Sequence, residues 1–156
     1  MAEEKKEDVQ EDVEEFQNPP DERLAEILKS YKNVAVVGLT PKQETPANRV
    51  ARFLNRHGFR LFPVNPRYES VLGELSYPYI RNIPEEVDIL DVFRRPEHLS
   101  GVIEDGATVG AKVIWLQLGI ANDEFARQAQ EAGFEVVMNR CMKKEYERLV
   151  LLRRVK

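Results

Sequence analysis

Asn33-Val34-Ala35-Val36-Val37-Gly38 decides the fold. Four consecutive apolar residues between a polar start and a glycine stop leave no polar face. The stretch therefore reads as a strand covered on both sides, as in a parallel sheet, and not as an alternating half-exposed one. Four further apolar runs follow it, at Arg60–Val64, Val87–Phe93, Lys112–Gly119 and Phe134–Met138, each stopping abruptly at Gly, Pro, Asn or Arg. Segments of helical spacing alternate with them. Leu24, Ile27, Leu28 and Tyr31 recur at helical intervals from Asp21, and Val50, Phe53 and Leu54 mark the inner face of a helix closed by His57-Gly58. Pro96 suits a first helical position, Asn122 suits an N-cap, and a last helix runs from Met142 to about Leu152. Arg67 to Pro84 reads as irregular, with a short turn near Tyr79–Asn82. Strands alternating with helices imply βαβ units and a sheet covered on both faces.

In such sheets ligands sit at the carboxyl ends of the strands. The residues just after the runs are therefore the functional candidates: Leu39 to Lys42, Asn65 to Arg67, Arg94 to Pro96, Gln117 to Gly119 and Asn139 to Cys141. None of these groups resembles a catalytic triad or a metal cage. They suit something long and anionic.

Length and charge bound the answer. The 156 residues suit one domain with a sizeable core. Eight acids and two lysines between Met1 and Pro20 give that stretch a net charge of −6, so the formal −4 of the whole leaves +2 for the rest. Residues 1–20 carry few large apolar side chains and are expected to be a disordered acidic tail, with 21–156 forming the single domain. The body is too weakly basic for a nucleic-acid track, so no nucleic-acid partner is expected. No apolar stretch reaches the roughly 18 residues of a membrane span, and the acidic N-terminus lacks the apolar core of a signal peptide. One cysteine, Cys141, allows no internal disulfide, and a cytoplasmic location is expected. Cys141 itself is expected to be a plain buried thiol, Trp115 to be core, and neither His57 nor His98 to be catalytic.

Dinucleotide binding is the first chemistry to weigh. The fingerprint G-x-G-x-x-G is missing after the first run, where Gly38 is followed by Leu39-Thr40-Pro41-Lys42. The acid that would accept from a free ribose 2′-hydroxyl at the end of the second strand is also missing. Asn65 stands there, with Arg67 two residues on. A basic residue suits a phosphorylated ribose, which NADP and coenzyme A (CoA) both carry. A helix starting near Pro46 would aim its free amides at the same place. Thr40 is as readily a turn cap as a ligand contact, and Lys42 reads as a solvated side chain.

Five blocks carry a resemblance. Val36-Val37-Gly38-Leu39-Thr40, Phe62-Pro63-Val64-Asn65-Pro66, Val87 through Pro96, Gly110 through Gly119, and Asn139-Arg140-Cys141-Met142 together resemble the small stand-alone CoA-binding proteins. Those are similar to the N-terminal, CoA-binding domain of the succinyl-CoA synthetase α-subunit. The resemblance runs from about Val34 to Leu149. It implies a Rossmann-like fold with CoA across the strand ends. Gly38, Leu39, Thr40 and the helix start near Arg49 would hold the diphosphate. Val64, Asn65, Pro66 and Arg67 would line the 3′-phosphate end, beside Phe93, Arg94, Arg95 and Pro96. Gln117 and Gly119 would face the pantetheine arm. The first loop departs from the synthetase's glycine-rich one, and the phosphorylated histidine and nucleotide-binding partner domain of the synthetase have no counterpart here.

The resulting expectation is a three-layer α/β/α, doubly wound parallel sheet of about five strands in the order 3-2-1-4-5. It would bind CoA or an acyl-CoA without catalysing a reaction, as a carrier, sensor or subunit, with no membrane partner and no identified protein partner. Two other readings stand beside it. One is an NADP-dependent oxidoreductase on the same fold. The other is an interaction module, hinted at by the acidic tail and by Arg148, Arg153, Arg154 and Lys156 near the C-terminus.

Overall fold

The computed structural model describes residues 15–153. In chain order its elements are α1 (Asp21–Ser30), β1 (Asn33–Val37), α2 (Pro46–Arg56), β2 (Arg60–Val64), β3 (Ser70–Val71), β4 (Glu74–Leu75), β5 (Ile89–Val92), α3 (Val102–Thr108), β6 (Val113–Leu116), α4 (Asp123–Glu131), β7 (Glu135–Val137) and α5 (Met142–Tyr146). Local chemistry sets several boundaries. Asp21 and Glu22 open α1 and Lys29 closes it, matching the helix dipole at both ends. Thr45 caps α2 by accepting from the Asn48 amide, with Pro46 at the first helical position. Asn122 caps α4 through Oδ1, which accepts from the Phe125 amide at 3.0 Å.

Five strands, β2-β1-β5-β6-β7, form one parallel sheet. The fold class expected from the sequence is thus found, but the strand order is not. Counting only these five, the order is 2-1-3-4-5 instead of 3-2-1-4-5. The physical reason is Pro63. Within β2, the Val64 carbonyl accepts from Gly38 on the β1 side at 2.9 Å, so Pro63 points the other way, where its carbonyl accepts from Tyr77. A proline there has no amide for a further strand, which confines β2 to an edge. The third strand must then pair on the far side of β1.

Alternation along the strands divides the core into two layers. Val34, Val36, Ile89, Val113, Trp115 and Val137 face α1, α2 and α5. Ala35, Val37, Leu90, Val92, Ile114, Leu116 and Val136 face α3, α4 and the turn Ile80–Asn82. On the second side α3 lies very close to the sheet: a Cβ on Gly106 would stand 2.9 Å from Leu90 Cδ1 and 3.3 Å from Phe134 Cζ.

The remaining elements differ from expectation in detail. The helix expected directly after Pro96 is a 3-10 turn, Pro96–His98, and α3 begins only at Val102 after Gly101. The last helix passes from α5 into a π-helical turn, Glu147–Leu151. The stretch expected to be irregular contains the β3–β4 hairpin, turned at Leu72 and Gly73 with positive φ. Residues 1–14 and 154–156 lie outside the described residues, and with them most of the expected acidic tail. Phe16 and Asn18 do pack on the body. Phe16 joins the second core, and the Asn18 side chain donates to the Met138 carbonyl at 2.9 Å and accepts from its amide at 2.7 Å. Phe16 and Asn18, within the stretch expected to be tail, are thus tied to the body.

Candidate functional site

The chain leaves β1 toward β2 on one side and β5 toward β6 on the other, so the order reverses between β1 and β5. That is where an open α/β sheet forms its ligand crevice. Gly38 and Phe93 are the first residues beyond these two strands, and they touch. Gly38 has φ +96°, and a Cβ there would lie 3.4 Å from the Phe93 carbonyl oxygen. Only glycine takes this backbone without strain and leaves the floor flat.

The loop from Gly38 to α2 is braced by the helix it leads into. Asn48, fully buried, donates to the Thr40 carbonyl at 2.8 Å; Arg49 donates to the Glu44 carbonyl at 2.7 Å; Arg52 donates to the Gln43 carbonyl at 3.1 Å. At the helix end Pro46 has no amide, and Thr45 occupies the amides of Asn48 and Arg49. Ala47 keeps the amide left over for a ligand, and Ala47 lines the cleft.

That cleft holds about 610 Å³ and runs between the first turns of α2 and α5. Its walls include Gly38, Thr40, Arg49 and Phe93 on one side, Gln117 and Leu118 at the end of β6, and Cys141, Lys143 and Lys144 from α5. A second hollow of about 310 Å³ shares Gly38 and Thr40 with it and extends over the end of β2. Lys42, Val64, Asn65, Pro66, Arg67, Tyr68 and Arg94 line it. The two together carry six cationic side chains and not one carboxylate. Asn65 fixes the second hollow: Nδ2 donates to the Leu39 carbonyl at 3.1 Å, and Oδ1 accepts from the Arg67 amide at 3.0 Å. The β1 and β2 loops are thereby tied together.

Beneath the first cleft lies an unusual pair. Asp91, in the middle of the apolar β5, is fully buried between Val36 of β1 and Trp115 of β6. Its Oδ1 accepts from Gln117 Nε2, and its Oδ2 has no partner. Burial pushes the Asp91 carboxyl up to about 8, against the opposing pull of the Gln117 hydrogen bond. Gln117 is the residue through which this buried acid meets the cleft.

Of the site residues expected from the sequence, Gly38, Thr40, Arg49, Val64, Asn65, Pro66, Arg67, Phe93, Arg94 and Gln117 line one or both hollows. Leu39, Arg95, Pro96 and Gly119 do not. Leu39 is core and contributes only its carbonyl. Arg95 and Pro96 start the 3-10 turn. Gly119 donates its amide to Asn139 Oδ1 at 2.7 Å, which joins the loops after β6 and β7. Thr45, Lys143 and Lys144 were missed. The Thr45-Pro46 pair is a helix-start signal available in the sequence, whereas nothing local shows that α5 reaches α2. Cys141, expected to be buried, is half-buried and lines the cleft. Trp115 is core as expected, its Nε1 donating to the Arg140 carbonyl at 2.8 Å. Of the basic residues that hinted at an interaction module, Arg148 pairs with Asp21 and Glu145, Arg153 is exposed, and Arg154 and Lys156 lie outside the described residues. No helix of the described residues is long and apolar enough to cross a membrane.

Comparison with known proteins agrees with this geometry. The model of the CoA binding domain family matches residues 32–147. An uncharacterized protein of Bacillus subtilis, YneT, is 35% identical over 128 residues, covering 82% of this chain and 95% of that one. The ADP-forming acetate–CoA ligase I of Archaeoglobus fulgidus is 26% identical over 121 residues, 71% of this chain but 18% of the ligase. A hypothetical protein from Pyrococcus horikoshii superposes with a TM-score of 0.82 at 42% identity, covering 88% of this chain and 99% of its own. A Thermus thermophilus protein superposes at 0.80 with 37% identity, covering 84% and 99%. With a matching family model over three quarters of its length, and a five-stranded sheet whose switch point opens into a cationic cleft, the chain belongs to the CoA binding domain family.

Proposed function

We propose that the protein binds CoA or an acyl-CoA along the two joined hollows and catalyses no reaction by itself. The observation that carries this reading is six cations without a single acid lining one continuous crevice. A ligand with a diphosphate and a separate ribose phosphate needs that spread of positive charge. The diphosphate lies over Gly38, with the Ala47 amide and Arg49 beside it. The 3′-phosphate lies in the second hollow, where half-buried Arg94 and the more exposed Arg67 approach it from opposite loops. The pantetheine arm then runs over Phe93 and Gln117 toward Cys141. A carrier, sensor or subunit role is favoured because neither hollow presents a carboxylate or an imidazole.

Calorimetric titration tests this with CoA, dephospho-CoA and NADP on the wild type and on Arg67→Ala and Arg94→Ala. Each substitution should weaken CoA by roughly tenfold, the size of one charge-assisted hydrogen bond, and leave dephospho-CoA nearly unchanged. Tighter binding of NADP than of CoA would refute the proposal. A CoA preference undiminished in both variants would move the phosphate elsewhere.

A further inference from the structure

Asp91 is the one buried side-chain atom site among the described residues left without a hydrogen-bond partner. Its other oxygen touches Gln117 and nothing else. Gln117, in turn, is almost wholly buried yet lines the cleft, and its Oε1 accepts no hydrogen bond within the described chain. The amide thus has one end on a buried acid and the other end toward the ligand space.

A carboxylate only accepts hydrogen bonds, so an ionised Asp91 must hold Nε2 and leave Oε1 toward the cleft. A protonated carboxyl also carries a donor. Its O–H can donate to Oε1, and because the two ends of an amide are nearly the same size, the side chain can rotate and turn NH2 toward the cleft. We propose that Asp91 is a positioning residue: the proton on its carboxyl decides, through Gln117, whether the cleft floor offers a ligand an acceptor or a donor. The inference rests on the CoA reading, because the pantetheine arm brings amide N–H groups to this floor, and Oε1 is the group they need.

The surroundings leave the control to this pair. Val36 and Trp115 flank Asp91 in the sheet, and burial and Gln117 alone act on its carboxyl, with no charged neighbour contributing. The charged or titratable groups that line the cleft are Arg49 from α2, Lys143 and Lys144 from α5, and Cys141 just before it. Cys141, the one thiol among them, is the group to control for.

The test measures the affinity of S-methyl-CoA, whose sulfur does not ionise, between pH 7 and 9. In the wild type the affinity should rise roughly threefold to tenfold as Asp91 ionises, the gain of about one hydrogen bond. Cys141→Ser should keep that rise. Asp91→Asn, which does not titrate, and Gln117→Met should both give flat profiles. An equal slope in the wild type and Asp91→Asn, or its loss in Cys141→Ser, would overturn the proposal. If S-methyl-CoA binds at no pH, the CoA reading fails by itself, and NMR of the free protein decides the role of Asp91. The Asp91 carboxyl carbon and the Gln117 side-chain NH2 should titrate with one midpoint. A Gln117 signal indifferent to that titration would refute the coupling.

Discussion

Replacing Asp91 by Asn should remove a pH dependence of stability that runs opposite to ordinary acid denaturation. The folded chain keeps the Asp91 proton up to about 8, whereas the unfolded chain releases it near the usual carboxylate value of about 3.9. Between those values the native state binds the extra proton, so stability falls as pH rises, by about 1.4 kcal/mol per pH unit from this group. Below the lower value the two states hold the proton equally and the penalty vanishes. Above the upper value it has reached its full size, on the order of 5 kcal/mol over about four pH units. Asparagine has nearly the same shape, still accepts from Gln117 Nε2, and does not titrate. The difference between variant and wild type should therefore grow in the variant's favour by about 3 kcal/mol from pH 5 to pH 7. Urea melts of both proteins at pH 5, 6, 7, 8 and 9, compared at equal m-values, read this directly. The remaining ionisable groups are the same in the two proteins, so the difference isolates position 91. Parallel profiles would show that Asp91 is already ionised in the native state across this range, and would refute the reasoning.

Asn18→Ala should destabilise by about 1–3 kcal/mol, because it strips both hydrogen bonds from the Met138 backbone; deleting residues 1–14 should leave the urea midpoint unchanged, and deleting 1–18 should lower it. Gly106→Ala should cost about 1–3 kcal/mol in the same assay, since the new methyl meets Leu90 and Phe134 where α3 presses on the sheet. Trp115→Phe should lose about 2 kcal/mol through a vacated volume and an unpaired Arg140 carbonyl, with near-ultraviolet circular dichroism checking that the fold is kept.

How far the fold can be read from the chain differs by element. The runs of β1, β2, β5, β6 and β7 are legible because a parallel strand buried on both faces is largely apolar, and Gly38 and Gly133 punctuate them. Strand order is a matter of edges, and one residue reveals it. Pro63 cannot sit inside a sheet with its missing amide toward a neighbour, and weighing it would have put β2 at the edge. The β3–β4 hairpin has two residues per strand, too few for any period to register. The site is legible where it follows a strand end, at Gly38, Asn65, Phe93 and Gln117. It is not legible where a wall arrives from a distant helix, as with Lys143 and Lys144. Asp91 hides for another reason: within the apolar run Val87–Phe93 its acid is a single interruption, and only the register sets it beside Trp115, two residues before Gln117.

Pro63 and Asn18 stand at opposite margins of the sheet, and together they bear on how the protein behaves in a crowd of its own copies. An open strand edge is a template on which another chain can grow. On the β2 side, Pro63 withholds an amide and Tyr77 already occupies the neighbouring carbonyl and the Asn65 amide. On the β7 side, the carboxamide of Asn18 imitates one residue of a strand and fills the Met138 position without offering a ladder beyond it. A single side chain thus closes one position of that margin. Loss of the first eighteen residues would uncover that margin, so proteolytic trimming near the N-terminus would turn a self-limiting sheet into one able to recruit further chains.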